Sequence, residues 1–348
     1  MPILEIKNLH VSIETQQGRV YAVRSVDMGI MPGEIVDILG ESGAGKSMTM
    51  RAVTGLLPAD ARIDEGDVLF DGQSLLGRTE EEMMCIRGTE IACVTQNPTS
   101  SLNPIITVGK QMTDALMAKK KAAKIAAKIQ LREVEKLHGV KLVGVSLANA
   151  KKKIEQLDGA DRIEKLLVVY HRKYTKAELK AECIRMLERV GIDQPQLRYD
   201  QYPIELSGGQ RQRVEIARAL IVDPCCLIAD EPVSDLDASV QADVINLFDQ
   251  IRRDRGITII FITHDISIVQ YLVDRVGVLY KGRLVELADK NEIFRNPVHD
   301  YTKCLFASAP SLDIRESLQV LSEVAFDETA QYEFTEIGNS HFVLTPRL

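Results

Sequence analysis

The chain has 348 residues, enough for two domains or for one domain with large insertions. Hydrophobic residues make up 45% of it and charged residues 27%, which excludes a disordered or fibrous chain. The formal net charge of -7 argues against a general nucleic-acid-binding surface. The sequence also lacks an apolar run of about 18 residues and an N-terminal apolar block, so we expect an intracellular globular protein.

The apolar pattern predicts an α/β fold. Residues 4–14 and 20–30 alternate between polar and apolar, as in the half-buried strands of an antiparallel layer. Three other runs are mostly apolar without alternation, at residues 34–40, 225–230 and 257–264. Runs of this kind suit strands of a parallel sheet that is covered on both faces.

Between about residues 105 and 200 the pattern becomes helical, which predicts a helical subdomain. Within it, residues 118–153 contain eleven Lys and Arg residues but only two acids. One interpretation is a solvated, Lys-rich pair of helices. The other is a contact with anionic lipid or with an acidic partner. The segment from about residue 290 onward has mixed polarity and is predicted to be a small appended domain or tail.

A phosphate-binding motif follows the first apolar run. The pattern G-x-x-x-x-G-K-[ST] is matched by Gly40, Glu41, Ser42, Gly43, Ala44, Gly45, Lys46 and Ser47. Glycines let the backbone turn tightly around an anion, with N–H groups pointing inward and a helix N-terminus behind them. We therefore predict a nucleoside triphosphate site, with Lys46 at the β- and γ-phosphates and Ser47 as a ligand of Mg²⁺.

An acidic strand end supplies the second element that such a site needs. The run at 225–230 ends in Asp230 and is followed by Glu231. The carboxyl ends of strands border the ligand crevice of an open α/β sheet. We expect Asp230 to hold the metal and Glu231 to act as the general base for the attacking water.

A third motif, at residues 206–210, reads Leu-Ser-Gly-Gly-Gln, and with it the chain resembles the ATP-binding-cassette family, whose signature is LSGGQ. Ser207 and the glycine N–H groups at a helix start would form a second anion site. In the family this site caps the nucleotide of the opposite subunit in a head-to-tail dimer. Three stretches, at 95–104, 201–220 and 296–310, are more narrowly similar to the oligopeptide and dipeptide importer ATPases, whose relatives also serve nickel uptake.

The resemblance implies roles for further residues. Gln96 matches the glutamine that senses the γ-phosphate and metal, and His264 matches the switch histidine that hydrogen-bonds the γ-phosphate. The D-loop place is taken by residues 234–237, where Asp235 adds an acid to the usual pattern. The adenine-stacking aromatic falls near Ile13, and Tyr21 is its nearest substitute.

Taken together, the expected catalytic residues are Glu231, His264 and Gln96, and the expected metal ligands are Ser47, Gln96 and Asp230. Besides residues 40–47, the expected nucleotide-binding residues are Met48, Tyr21, Ser207, Gly208, Gly209, Gln210 and Asp237. For His299, Tyr301 and Thr302 of the third similar stretch we expect ordinary packing.

The resemblance implies a RecA-like P-loop NTPase core with an antiparallel β subdomain, an inserted helical subdomain and a small C-terminal extension. We place the first part of the core at residues 1–104 and the helical subdomain at 105–205, with a basic insertion at about 118–175. The second part of the core is then 206–290 and the extension 291–348.

The function implied is that of the ATP-hydrolysing subunit of a peptide importer, with ATP and Mg²⁺ as cofactors. Its partners would be two integral-membrane permease subunits, a sister ATP-binding subunit and, indirectly, an extracytoplasmic substrate-binding protein. A heterodimer is expected, with a homodimer as the alternative, peripheral on the cytoplasmic face of the cell membrane and without nucleic acid. Some relatives carry a C-terminal iron–sulfur cluster, but no cysteine follows Cys304, so none is predicted.

Three alternatives remain at this point. The same machinery would serve the uptake of nickel or another metal chelate. A soluble cassette ATPase acting on ribosomes or nucleic acid is favoured only by the Lys-rich insertion, which could contact RNA phosphates. A regulatory module that senses ATP without hydrolysing it is disfavoured by the presence of Glu231 and His264.

Overall fold

The computed structural model describes residues 1–96, 101–155, 157, 159–234, 236–308, 326, 332–338 and 340–346. These residues form two compact units. The first comes from residues 1–78, 93–96 and 225–348, and the second from residues 79–92 and 97–224.

The strands in the described residues are β1 (Leu4–Thr15), β2 (Gly18–Ile30), β3 (Ile35–Leu39), β4 (Ala61–Phe70), β5 (Gln73–Ser74), β6 (Ile91–Val94), β7 (Cys226–Asp230), β8 (Thr258–Thr263), β9 (Arg275–Tyr280), β10 (Arg283–Asp289), β11 (Tyr332–Gly338) and β12 (His341–Pro346). They form two sheets. The smaller has the order β2-β1-β4-β5, and the larger has the order β11-β12-β10-β9-β3-β8-β7-β6.

The helices in the same residues are α1 (Lys46–Thr54), α2 (Glu80–Met84), α3 (Val108–His138), α4 (Leu147–Ile154), α5 (Ala160–His171), α6 (Lys176–Arg189), α7 (Pro195–Asp200), α8 (Gly208–Leu220), α9 (Ala238–Arg255), α10 (Ile266–Leu272), α11 (Lys290–Arg295) and α12 (Asp300–Ala307). None of the described helices is long and apolar enough to span a bilayer.

The centre of the larger sheet is parallel. Strand β3 pairs in parallel with β8 and β9, and β7 pairs in parallel with β8. Every residue of β3 and β8 is buried, as expected for strands that are covered on both faces. The three unalternating apolar runs are therefore β3, β7 and β8, while the alternating runs are the antiparallel strands β1 and β2. The predicted α/β fold class is confirmed.

Strands β11 and β12 of the C-terminal segment join this sheet, and the prediction of a small appended domain or tail from about residue 290 stays a prediction. Strand β12 pairs with β10 in an antiparallel register, with Glu286 opposite Val343, and β11 pairs with β12. Val343 and Leu344 are buried there. Most of β11 is exposed, whereas half of β12 is buried, which agrees with the mixed polarity of this hairpin.

In the second unit, residues 105–205 contain helices α3 to α7. The C-terminal part of α3 packs with α4 and α5 around a separate apolar cluster, formed by Leu131, Leu142, Ala150, Ile154, Ile163 and Leu167. The basic insertion therefore has a hydrophobic core of its own beneath its charged surface.

The unit boundaries differ from the predicted ones. Helix α8 lies in the second unit, whereas the sequence placed residues 206–290 in the nucleotide-binding core. The described unit 2 also includes residues 79–92, which precede the predicted subdomain. The division into four domains stays a prediction.

Candidate active site

Residues 40–47, here called the phosphate loop, connect β3 to α1 in the first unit. Gly43 and Gly45 have φ values of 82° and 102°, a region that glycine adopts without strain. Gly45 also lacks room for a side chain, since a Cβ there would lie 2.4 Å from the carbonyl oxygen of Ala22 on β2. The sequence Gly-x-Gly is thus required by both the turn and the close approach of β2.

Lys46, the first residue of α1, is only 5% exposed. Its Nζ donates to the carbonyl oxygens of Gly40 and Glu41, the latter at 2.9 Å. Burial lowers the pKa of Lys46, and nearby carboxylates, of which Glu231 has the largest effect, oppose that shift. The ammonium group is therefore folded against the loop itself, among acidic side chains.

Ser47 and Asp230 meet across the site. The Ser47 hydroxyl donates to Asp230 Oδ1 at 3.2 Å, although the two residues are 183 apart in sequence. Burial raises the pKa of Asp230, and the hydrogen bond from Ser47 opposes this. A hydroxyl and a carboxylate are the oxygen donors that Mg²⁺ prefers when phosphates supply the remaining ligands. The described residues contain no cluster of three or more His, Cys, Asp or Glu that could hold a metal.

Three predicted catalytic residues lie together in the structure. Gln96 Nε2 donates to Glu231 Oε2 at 2.8 Å, and His264 Nδ1 lies 3.4 Å from Glu231 Oε1. They follow β6, β7 and β8, which are neighbours in the sheet, so the strand ends place them side by side. The Glu231 side chain is 16% exposed and that of His264 is 61% exposed.

The backbone at Glu231 is strained. Its φ is 46°, unusual for a residue with a side chain, and its N–H donates to the carbonyl oxygen of Ile262 at 2.8 Å. Strained backbone of this kind persists where the surrounding structure fixes it, and such positions cluster at functional sites. The turn directs the Glu231 carboxylate between Gln96 and His264.

The D-loop place is only partly described, because Asp235 lies outside the described residues. Ser234 Oγ donates to the carbonyl oxygen of Glu231 at 3.2 Å. Gln241 of α9 donates to the carbonyl oxygen of Val233 at 3.0 Å. Asp237 is exposed and precedes α9 without a side-chain hydrogen bond to that helix.

Two predicted contact residues flank the phosphate loop. Tyr21 is 45% exposed on β2, next to Ala22, whose carbonyl touches Gly45. The Arg24 guanidinium lies 5.9 Å from the centre of the Tyr21 ring. Met48 is partly buried in the first turn of α1. Tyr21 thus precedes the β2 residue that approaches the loop, and its stacking role stays a prediction.

The signature residues 206–210 lie in the second unit, at the start of α8. Ser207 Oγ accepts from the N–H of Gln210 at 3.2 Å, and Gln210 Oε1 accepts from the N–H of Ser207 at 3.1 Å, which makes a capping box. Ser207 is exposed. Gly208 and Gly209 are the first helical residues, whose N–H groups have no acceptor within the helix.

Two residues near the loop were missed by the sequence reasoning. Asp37, in the middle of β3, is fully buried, and neither carboxylate oxygen has a hydrogen-bond partner in the described structure. Burial raises the pKa of Asp37 well above its ordinary value. The signal was present, since Asp37 is the one charged residue inside the run 35–39. Tyr301, for which packing alone was expected, accepts a hydrogen bond from the N–H of Glu41 at 3.2 Å.

A phosphate loop and an acidic strand end on an α/β sheet, together with an LSGGQ motif at a helix start of the same chain, define an ATP-binding cassette. The family profile described as "ABC transporter" matches residues 23–234, and one described as "Oligopeptide/dipeptide transporter, C-terminal region" matches residues 285–331. The chain belongs to the ATP-binding subunits of the ABC transporter family, and its resemblance to the oligopeptide and dipeptide branch is confirmed.

Curated relatives of this chain are named for dipeptide and oligopeptide transport. The dipeptide transport ATP-binding protein DppD of Bacillus subtilis is 37% identical over 313 residues, covering 90% of this chain and 78% of the relative. The oligopeptide transport ATP-binding protein OppF of the same organism is 35% identical over 350 residues, covering 98% and 95%.

Solved structures match the fold. The structure of cbiO1 from Clostridium perfringens, described as part of the ABC transporter complex cbiONQ, has a TM-score of 0.60 at 25% identity over 85% of this chain and 91% of that one. A dimeric cassette in a post-hydrolysis state with ADP and Pi has a TM-score of 0.59 at 23% identity, over 82% and 98%. The chain is an ABC-type ATPase.

Proposed function

We propose that this ATPase drives a peptide importer, hydrolysing ATP on behalf of membrane permease subunits. The observation that carries the proposal is the C-terminal match at residues 285–331, because that region distinguishes oligopeptide and dipeptide transporters from other cassettes. Relatives named for dipeptide and oligopeptide transport, similar over most of the chain, support the same substrate class.

In this proposal the phosphate loop binds the triphosphate. The loop N–H groups and the start of α1 offer donors and a positive dipole end to the phosphates. Lys46 keeps the Gly40 carbonyl as a partner in the loop and directs its remaining donors to the β- and γ-phosphate oxygens. Tyr21 stacks on the adenine, and Met48 contributes to the pocket at the start of α1.

Ser47, Asp230 and Gln96 hold Mg²⁺. The hydrogen bond between Ser47 and Asp230 already brings two of these oxygen donors together. Mg²⁺ held by these residues would supply positive charge to offset the negative charge that develops on the phosphate oxygens. The raised pKa of Asp230 reflects burial of a carboxylate, and a cation at that position would favour its ionised form.

Glu231 is the general base. Its carboxylate accepts the proton of the attacking water, while Gln96 and His264 hold the two carboxylate oxygens in place. His264 also hydrogen-bonds the γ-phosphate, which aligns that group with the water and Glu231. The strained turn at Glu231 keeps the base on the sheet edge instead of on a mobile loop.

The signature turn completes a second site in a dimer. Ser207, Gly208, Gly209 and Gln210 cap the triphosphate bound to the sister subunit, with Asp237 at the dimer seam. Both turns are satisfied only when the γ-phosphate is present, so ATP binding favours the closed dimer and hydrolysis reopens it. This differential affinity is what moves the permeases.

The proposed assembly contains two integral-membrane permeases, a sister ATP-binding subunit and an extracytoplasmic substrate-binding protein. The ATPase lies peripherally on the cytoplasmic face of the membrane. A heterodimer of ATP-binding subunits is proposed, since several relatives are named as distinct ATP-binding proteins, DppD, OppD and OppF.

The test is an uptake assay in cells that lack the gene. Uptake of labelled dipeptides and oligopeptides should fall in the deletion strain, return with the wild-type gene, and stay low with Glu231→Gln. Purification of the tagged chain from gently solubilised membranes should yield two integral-membrane proteins and a second ATPase. Unchanged peptide uptake together with lost nickel uptake would replace peptides by a metal chelate. Copurification of ribosomal proteins alone would contradict transport altogether.

A further inference from the structure

The peptide group between Gly40 and Glu41, at the start of the phosphate loop, is held at both of its polar ends. Its carbonyl oxygen accepts a hydrogen bond from Lys46 Nζ. Its N–H donates to the phenolic oxygen of Tyr301 at 3.2 Å. Because a peptide group is planar, a partner that fixes the direction of the N–H also fixes the direction of the carbonyl. Tyr301 therefore orients an acceptor of Lys46 without touching Lys46.

Tyr301 is itself firmly placed in α12. It is 5% exposed, and its ring stacks on that of Tyr280 with centroids 4.0 Å apart and planes 22° from parallel. Burial raises the pKa of Tyr301 to about 12, so the phenol stays neutral at physiological pH. The N–H of Tyr301 donates to His299 Nδ1 at 3.2 Å, which caps the start of the helix.

The start of α12 is anchored to a buried, hydrogen-bonded pair of side chains in the sheet. Glu286 of β10 is fully buried and accepts hydrogen bonds from the N–H groups of Val298 at 2.9 Å and His299 at 3.0 Å. Its Oε1 also lies 2.7 Å from Nε2 of His341 on β12, which is 1% exposed. Hydrogen bonds thus run from the C-terminal hairpin through α12 to the phosphate loop, all within the first unit.

We propose that Tyr301 is a positioning residue of the ATP site, through which the C-terminal segment sets the orientation of the Gly40–Glu41 peptide and so the place of Lys46. The proposal rests on the proposed role of Lys46 in binding the triphosphate. It assigns a function to the C-terminal region, residues 285–331, which distinguishes oligopeptide and dipeptide transporters from other cassettes. Ordinary packing of Tyr301 would contribute stability without altering the nucleotide affinity of the folded protein.

The variant Tyr301→Phe tests this, because it keeps the ring and its stacking on Tyr280 and removes only the acceptor. Binding of a fluorescent ATP analogue to the purified full chain, with and without Mg²⁺, should weaken roughly threefold to tenfold, as expected for one hydrogen bond. The KM for ATP should rise in parallel, with kcat changed less than about twofold. The matched control is Tyr271→Phe, which removes an exposed hydroxyl bonded to Asn246 and should change neither value.

A second variant acts at the far end of the same path. His341→Phe removes the hydrogen bond to Glu286 and should weaken nucleotide binding in the same direction, by less than Tyr301→Phe. Unchanged affinity in a folded Tyr301→Phe protein would overturn the proposal. If that variant does not fold, the affinity of His341→Phe decides in the same way. Normal ATP binding by Lys46→Ala would instead contradict the proposed ATP site, so the two failures are distinguishable.

Discussion

The two anion-binding turns of this chain are built in opposite ways. The phosphate loop contacts distant segments of its own unit. The Ala22 carbonyl lies against Gly45, and the N–H of Gly282 donates to the carbonyl oxygen of Ala44. The Tyr301 hydroxyl accepts from the N–H of Glu41. The signature turn is exposed, and its side-chain hydrogen bonds stay within its own helix, between Ser207 and Gln210. One turn is fixed by long-range contacts before any ligand binds. The other is a helix start made locally, suited to meeting a ligand on another molecule.

The largest effect is expected from replacing Glu231, the proposed general base. Glu231→Gln should reduce ATP hydrolysis by about two to four orders of magnitude, since an amide cannot accept the water proton. Its hydrogen bond with Gln96 can persist, so ATP binding should be retained. Phosphate release and calorimetric binding measure the two quantities. Glu133→Gln, at an exposed position of α3, is the control; full turnover by Glu231→Gln would remove it from this role.

Replacing Lys46, the cationic residue of the phosphate loop, should weaken ATP binding by the single subunit. Lys46→Ala should weaken ATP binding by about one to two orders of magnitude, because charge-assisted hydrogen bonds to the phosphates are lost. Titration at subunit concentrations too low for dimerisation isolates this effect. If the ATP affinity of Lys46→Ala stayed within twofold of the wild-type value, the phosphate loop would not be the turn that binds ATP in the single subunit. The contrast between the phosphate loop and the signature turn would then be contradicted.

Replacing Ser207 in the signature turn should affect the activity of the dimer and not ATP binding by the single subunit. Ser207→Ala removes a helix cap worth about 1 kcal/mol. It should lower dimer-dependent ATPase activity about tenfold or more while leaving the ATP affinity of the isolated subunit unchanged, because in the proposed dimer Ser207 contacts the sister subunit's nucleotide. Ser146→Ala removes an equivalent cap from α4 and controls for lost stability, since Ser146 Oγ accepts from the N–H of Asn149. Equal loss of activity in both variants would assign the effect to capping alone.

The smallest effect concerns the stability of the first unit. Asp37→Ala should raise the free energy of unfolding at pH 7 by about 1–3 kcal/mol, because a buried carboxyl without hydrogen bonds is costly. Since its folded-state pKa is raised, Asp37 binds a proton more tightly in the folded than in the unfolded chain. Wild-type stability should therefore fall as the pH rises from about 4, the unfolded pKa, towards the folded value.

Urea unfolding at several pH values checks this point. The advantage of Asp37→Ala over the wild type should be small near pH 4 and grow as the pH rises. Asp60→Ala, at an exposed position of the same unit, should show no such trend. An advantage that shrinks with increasing pH would mean that Asp37 is ionised and paired in the folded state.

Much of the parallel sheet, the phosphate loop and the acidic strand end could be predicted from local pattern, whereas the roles of Gln96 and His264 came from the family resemblance. The unalternating runs became β3, β7 and β8, and the residues placed in catalytic roles, Gln96, Glu231 and His264, lie together. The stacking role of Tyr21 and the metal role of Gln96 stay predictions. Local pattern could not predict that Tyr301 hydrogen-bonds to Glu41, 260 residues away in the sequence. It also could not predict the hairpin at the edge of the sheet that contains His341.

By itself, the sequence determined where the anion-binding turns are, because glycine spacing and apolar period act over a few neighbouring residues. Only the tertiary structure decided what holds them. Strand order places Gln96 beside Glu231, 135 residues apart, and burial leaves the carboxylate oxygens of Asp37 without a hydrogen-bond partner among the described residues. Such pairings depend on how distant segments pack, and no local pattern encodes which carbonyl, hydroxyl or carboxylate will be the neighbour.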